Sequence, residues 1–199
     1  MKKKFIFFIN LIFIFFLIGT LNLKAQEPRL FIENIVNEAQ VILKATNSKE
    51  YKSENLAKLA VKTVDIKGIG MYTLGSYRKQ LNDEQKKKYA DLFQKYFLKT
   101  FVSRLTEYSD PKINVISTEK KNDKYTIVFS LLEATSKKPE VKVDWRVYTK
   151  NPEKPLIRDL IIEGLSLART QKEEFASIIE GNDAAINALF KQLEEFINS

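Results

Sequence analysis

Between Asn82 and Tyr108 the chain repeats apolar side chains at helical spacing, and most of them are aromatic. Tyr89, Leu92, Phe93, Tyr96, Phe97, Phe101, Leu105 and Tyr108 fall on one side of such a helix, with Lys86, Lys87, Asp91, Lys95, Lys99 and Arg104 on the other. A stripe this wide is not stable in water, so the rest of the chain must supply a surface to cover it. Asn82 or Asp83 caps the start, and Glu84 and Gln85 occupy the first turn. After Pro111 the period changes to two. Ile113 and Val115 alternate with Asn114, and Tyr125, Ile127, Phe129 and Leu131 share one face of a second strand. Val141, Val143, Trp145 and Val147 share a face of a third, with Lys142, Asp144, Arg146 and Tyr148 opposite, and residues 156–163 make a fourth. Lys121-Asn122-Asp123 and the segment 151–155 read as turns, and links this short favour an antiparallel meander.

Helices flank these strands. Phe31, Ile35, Ala39 and Ile42 recur at intervals of three and four, with Pro28 in the first turn, where its missing N–H costs nothing. Ser53 or Asn55 is expected to cap a second helix carrying Leu56, Leu59, Ala60 and Val64. Gly68, Gly70 and Gly75 break the segment 66–77 into short helical pieces. A helix over 170–180 buries Phe175, Ile178 and Ile179 and stops at Gly181. Asp183 is expected to cap the last one, which shows Ile186, Leu189, Phe190, Leu193 and Ile197. Helices, four strands, then helices predict a single α+β domain with a four-stranded antiparallel sheet.

The first residues have a different purpose. Lys2, Lys3 and Lys4 precede an apolar run from Phe5 to Ile18 broken only by Asn10, and the segment that follows ends on Ala25. This is the layout of a secretory signal peptide. Residues 1–25 are therefore expected to be removed, leaving a domain of residues 26–199. An uncleaved membrane anchor is the rival, but the run is short for a span of roughly 20 residues. Without the leader the chain has 29 Lys and Arg against 25 Asp and Glu, a net charge of +4. That is no nucleic-acid footprint by itself, but it is compatible with visits to anionic headgroups or acidic partners.

The chain has no Cys and no His. A disulfide framework is excluded, so a packed core must supply stability. Cys–His and Ser–His–Asp nucleophilic systems and most zinc sites lose their imidazole. Gly68-Ile69-Gly70 followed by Thr73 has no preceding strand and no third Gly for a dinucleotide loop. Gly164-Leu165-Ser166 begins like a nucleophile elbow, but Ala168 stands where the second Gly belongs, so a turn followed by a capping Ser is the better reading. Asp144 and Arg146, two apart on one strand face, are expected to form an ion pair within or across strands. The aromatic helix itself leaves two readings open. Its stripe fills a solid core against the sheet, or it stands off and the gap holds acyl chains; apolar lining looks the same in either case.

The segment Leu74-Gly75-Ser76-Tyr77, then Gln85 opening a helix of aromatic and Leu positions that closes on Tyr108, resembles the MlaC or toluene-tolerance family. So do Asp65 before a short helical segment, Val141-Lys142-Val143-Asp144-Trp145 in the third strand, and the stretch 159–167, which carries Asp159, Glu163, Gly164 and Ser166. Phe175 and the closing helix fit too, and the likeness extends over about residues 29–195. It implies helices and sheet enclosing an apolar cavity, without catalysis, cofactor, metal or nucleic acid. It also implies carriage of phospholipid across the periplasm, between an inner-membrane ABC transporter complex with a lipid-binding ring and an outer-membrane lipoprotein complex, in support of outer-membrane lipid asymmetry. On that reading Phe93, Phe97 and Phe101 of the long helix line the cavity, with Leu74 and Tyr77 near an edge. The sheet adds Ile127, Phe129, Val143, Trp145 and Val147, their facing inferred from alternation. The rival class is an exported, non-catalytic interaction or adaptor domain with a closed core. An enzyme acting on small apolar substrates is a third reading.

Processing is directly testable: N-terminal sequencing of the protein released by osmotic shock should begin at Gln26 or within a couple of residues of it. Recovery of the 199-residue chain from the membrane fraction would replace the signal with an anchor.

Overall fold

A computed structural model describes residues 27–108, 110–136, 138–183 and 185–199. The leader segment 1–25 lies outside the described residues. Among the described residues six helices and five strands follow in the order α1 (Pro28–Lys44), α2 (Lys49–Thr63), α3 (Ile66–Thr73), α4 (Asp83–Thr106), β1 (Ile113–Asn122), β2 (Tyr125–Leu132), β3 (Val141–Tyr148), β4 (Leu156–Ile162), β5 (Leu165–Ser166), α5 (Leu167–Glu180) and α6 (Ile186–Asn198), with a short 3-10 turn at Tyr77–Lys79. The strands form one antiparallel meander in sequence order. The fold is α+β as expected, but the sheet has five strands, not four. The fifth has only two residues, too short for any period to show. It follows a tight turn in which Glu163 and Gly164 both take positive φ. Among the described residues no helix is long and apolar enough to cross a membrane.

Several helix starts follow the capping logic. Asn82 accepts from the Gln85 backbone N–H while the Gln85 side chain accepts from the Asn82 N–H, so α4 opens on a full capping box. Ser48, not Ser53 or Asn55, caps α2, accepting from the Tyr51 N–H at 3.2 Å. The segment 49–55 is polar and adds no apolar period, so the sequence pattern registers the helix one turn or more late. Similarly α6 starts from Ala185 rather than Asp183, whose φ of 55° takes it out of a capping conformation.

The arrangement of α4 governs the rest. Its main packing partners are α2, α3 and α6, not a strand. Its N-terminal half closes a solid core. There Tyr89 and Phe93 are buried against Phe175, whose ring meets both edge-on, and Phe190 stacks on Tyr89. The Tyr89 hydroxyl donates to Thr73 Oγ1 at 2.8 Å, which in turn donates to the Gly70 carbonyl. Burial pushes the Tyr89 phenol well above its ordinary range, so it stays neutral. α3 can come this close because Gly70 has no side chain, and a Cβ there would lie 2.8 Å from the Phe93 ring. The remaining helices bracket the sheet: α1 packs on β1 and β2, and α3 and α5 pack on β4.

Gly70→Ala should therefore lower the unfolding free energy by about 1–3 kcal/mol through overpacking against Phe93, despite the better helix propensity of Ala. The midpoint of a denaturant titration reads this out, and an unchanged or raised midpoint would mean that α3 and α4 are not held in this contact.

Candidate functional site

Beyond Phe93 the stripe of α4 is not covered. Tyr96, Phe97, Thr100, Phe101, Leu105 and Tyr108 are only half-buried, and they form one wall of a cleft of about 690 Å³. The opposite wall is the inner sheet face. Val143 and Trp145 of β3 pair in register with Ile162 and Leu160 of β4, which places all four on that face. Ile35 and Ala39 of α1, Leu59 of α2, Ile69 of α3 and Leu167 of α5 close the sides. A volume of this size falls within the usual range for ligand pockets, about 300–1,000 Å³.

The floor is dry in a chemical sense because its polar atoms are satisfied internally. Trp145 Nε1 donates to Ser130 Oγ at 2.9 Å, and that hydroxyl donates to the Val143 carbonyl at 2.6 Å. Asp159 borders the cleft, yet its Oδ2 accepts from Ser166 Oγ at 2.6 Å and its Oδ1 from the Ala168 N–H at 3.0 Å. Ser166 also caps α5 through the Arg169 N–H. The turn-and-cap reading of this stretch holds, and the Ser hydroxyl is committed to structure. Thr100 Oγ1 is the exception, buried on the α4 wall with no partner in hydrogen-bond geometry. Charge gathers among the more exposed lining residues, where Arg104 contacts Glu107 at 3.7 Å and Lys138 Nζ lies 4.1 Å from the centre of the Tyr108 ring.

The structure brings together Phe93, Phe97, Phe101, Val143 and Trp145 of the residues expected to line a cavity. Val147 shares their face of the sheet but is buried outside the cleft, opposite Thr126. Leu74 is buried at the end of α3, and Tyr77 turns its hydroxyl to Glu180 at 3.3 Å, so neither reaches the cleft. Ile127 and Phe129 correct the expectation more sharply. The register sets them opposite Arg146 and Asp144, on the outer face of the sheet. β2 is apolar on both faces near its middle, with Ile127 and Val128 both buried, so alternation alone offers two equal facings. The expected ion pair forms across strands, where Arg146 of β3 reaches Asp159 of β4 at 3.8 Å, and not within β3 to Asp144. Among the residues missed, Leu160 and Ile162 carried a usable signal in the period-two pattern of β4. Thr100, lying on an otherwise aromatic stripe, carried none.

The family model described as MlaC protein matches residues 33–195. A curated relative, the intermembrane phospholipid transport system binding protein MlaC of Haemophilus influenzae, is 21% identical over 201 residues, covering 97% of this chain and 92% of its own. The solved structure of a phospholipid-binding protein from Ralstonia solanacearum, in complex with a phospholipid, superposes with a TM-score of 0.73 at 20% identity. It covers 85% of this chain and 96% of that one.

Ser166→Ala removes the α5 cap and one donor to a buried carboxylate. It should lower stability by about 1–2 kcal/mol in chemical denaturation. A variant as stable as the wild type would detach Ser166 from this network.

Proposed function

Because the chain belongs to the MlaC family, we propose that it is a periplasmic carrier that holds the acyl chains of a phospholipid in the inner cleft. It would ferry lipid between an inner-membrane ABC transporter complex with a lipid-binding ring and an outer-membrane lipoprotein complex. The observation that supports this most is the stand-off of α4 from the sheet, which leaves Phe97 and Phe101 half-buried around open space instead of a filled core. Each acyl CH₂ is worth about 0.8 kcal/mol when kept from water, so free chains need a dry container to cross an aqueous gap. Phe97 and Phe101 stack at 5.7 Å on one wall, and Val143 and Trp145 line the opposite one. Thr100 Oγ1 supplies a donor for an ester carbonyl. The cations Arg104 and Lys138 suit a phosphate group held near water.

Such a carrier needs no reaction. The Ser166 hydroxyl is engaged with Asp159, and the chain has no imidazole to activate it. A closed-core adaptor would leave the half-buried aromatics of α4 without a purpose.

Phe97→Glu separates the readings. Phe97 is already half-buried beside open space, so a carboxylate there can reach water. The variant should stay folded, with a melting temperature within a few degrees of wild type, and should purify with little lipid. Val143 is 7% exposed, at the floor, so Val143→Lys should cost several kcal/mol. Native mass spectrometry and thermal melting on the same samples measure both effects. A wild type without lipid, together with a Phe97→Glu protein that fails to fold, would favour the closed core.

A further inference from the structure

The outer face of the sheet carries a second concavity, of about 630 Å³. Its bed follows from the register. One cross-strand row reads Phe129–Asp144–Ile161 and the next reads Ile127–Arg146–Asp159. Gly68 and Tyr72 of α3 and Lys121 and Asn122 at the end of β1 contribute to its walls. Arg158 also borders it, but its guanidinium is already engaged. It donates to Asp65 at 2.6 Å and to the Tyr125 hydroxyl at 2.9 Å, and it lies 3.7 Å from the centre of the Tyr148 ring.

Asp144 and Arg146 are different. They point from the same face of β3, about 7 Å apart along the strand, and make no ion pair with each other. Among the described residues the carboxylate of Asp144 has no hydrogen-bond or ion-pair partner. Burial pushes its pKa up, Lys142 opposes this and Glu163 adds to it. Arg146 has a single ion contact, 3.8 Å from Asp159, and that carboxylate already accepts from Ser166 and Ala168. Its fork of donors is therefore largely unused by the protein. Both groups open toward water over an apolar bed and are free to take a ligand's opposite charges.

We propose that this outer concavity binds a small zwitterion, with an oxyanion on Arg146, an ammonium on Asp144 and a short alkyl stem over Ile127 and Phe129. The chemistry is that of an aminoalkyl phosphate or an amino acid. The same groups occur on a free solute and on the headgroup of an aminophospholipid at a membrane surface. The site opens on the other face of the sheet from the inner cleft, with Ile69, Asp159 and Ala168 bordering both, and does not depend on what the cleft carries.

Calorimetric titration of the purified protein with phosphoethanolamine, ethyl phosphate and ethylamine tests it. Phosphoethanolamine should bind about tenfold or more tighter than either half-molecule, the increment expected of a charge-assisted contact. Asp144→Asn should reduce its affinity to that of ethyl phosphate, and Arg146→Gln to that of ethylamine. Should Arg146→Gln fail to fold, Asp144→Asn carries the comparison. Vesicles of phosphatidylethanolamine and phosphatidylglycerol, set against phosphatidylglycerol alone, distinguish the sources. Selective vesicle binding displaced by free phosphoethanolamine assigns the headgroup, and binding of the free probe without it assigns a solute. Lipid retained in the inner cleft of both variants supports two sites. The proposal is overturned if no probe binds at millimolar concentration, if ethyl phosphate binds as tightly as phosphoethanolamine, if neither substitution matters, or if zwitterion and cleft lipid are lost together.

Discussion

Helix α4 is held by other helices and not by the sheet it faces, and the cleft exists because of that choice of partners. Tyr89 and Phe93 lock its first half against Phe175 and Phe190, with α3 brought close through Gly70. The second half then extends past its support with an aromatic stripe still facing inward. In a solid domain the sheet would rise to meet that stripe, because close packing is the default of protein interiors. Here α1 packs on β1 and β2, and α3 and α5 pack on β4, so the side walls are fixed before the gap can close. Apolar surface is left over, and its free energy is available to an apolar guest.

Two carboxylates hold the β4 side of this frame. Asp65 caps α3 through the Gly68 N–H and accepts from Arg158 of β4 at 2.6 Å. Asp159 of β4 is 3% exposed and accepts from Ser166 and from the Ala168 N–H in the first turn of α5. Each acid ties a helix N-terminus to one strand, where backbone donors and the helix dipole offset the burial of the charge. Asp65 and Asp159 are in this way consumed by architecture. A cleft bordered by Asp159 nevertheless presents a largely apolar floor.

Legibility in the sequence followed the length of each element and the number of faces it buries. The long helix was readable to within a residue or two because its cap, first turn and stripe agree. The strands from Ile113 to Ile162 were readable because each is a β-rich run bounded by short turns, with a period of two over most of its length. α2 was read late because its first turn carries no apolar period, and β5 was missed because two residues have none. For the site, Phe93, Phe97 and Phe101 could be named because a helix has one apolar side. Ile127 and Phe129 could not be placed, because β2 buries Ile127 and Val128 alike and a strand with two apolar faces does not announce which one looks inward. Leu74 and Tyr77 came from a motif, and a motif reports a family's local structure as readily as its ligand contacts.

An open apolar cleft would be hazardous beside an open sheet edge, since unpaired backbone and exposed aromatics together invite association with another chain. β1 is the long edge strand of the sheet, opposite the short β5 edge, and its defences are specific. Where its register slips between Val115 and Ser117, Arg29 of α1 donates to the Val115 carbonyl at 2.8 Å and to the Ile116 carbonyl at 3.1 Å, and its Nε is paired with Glu33. The far half of the strand is exposed and carries Glu119, Lys120 and Lys121. Lys at an edge leaves a charge to desolvate in any strand that tries to add there. The bulge bends the strand locally and interrupts its ladder. Ile116 of β1 is itself exposed, so the charges and the bulge, not burial, guard this edge. Charge and irregularity along β1 therefore oppose the addition of another strand beside the cleft.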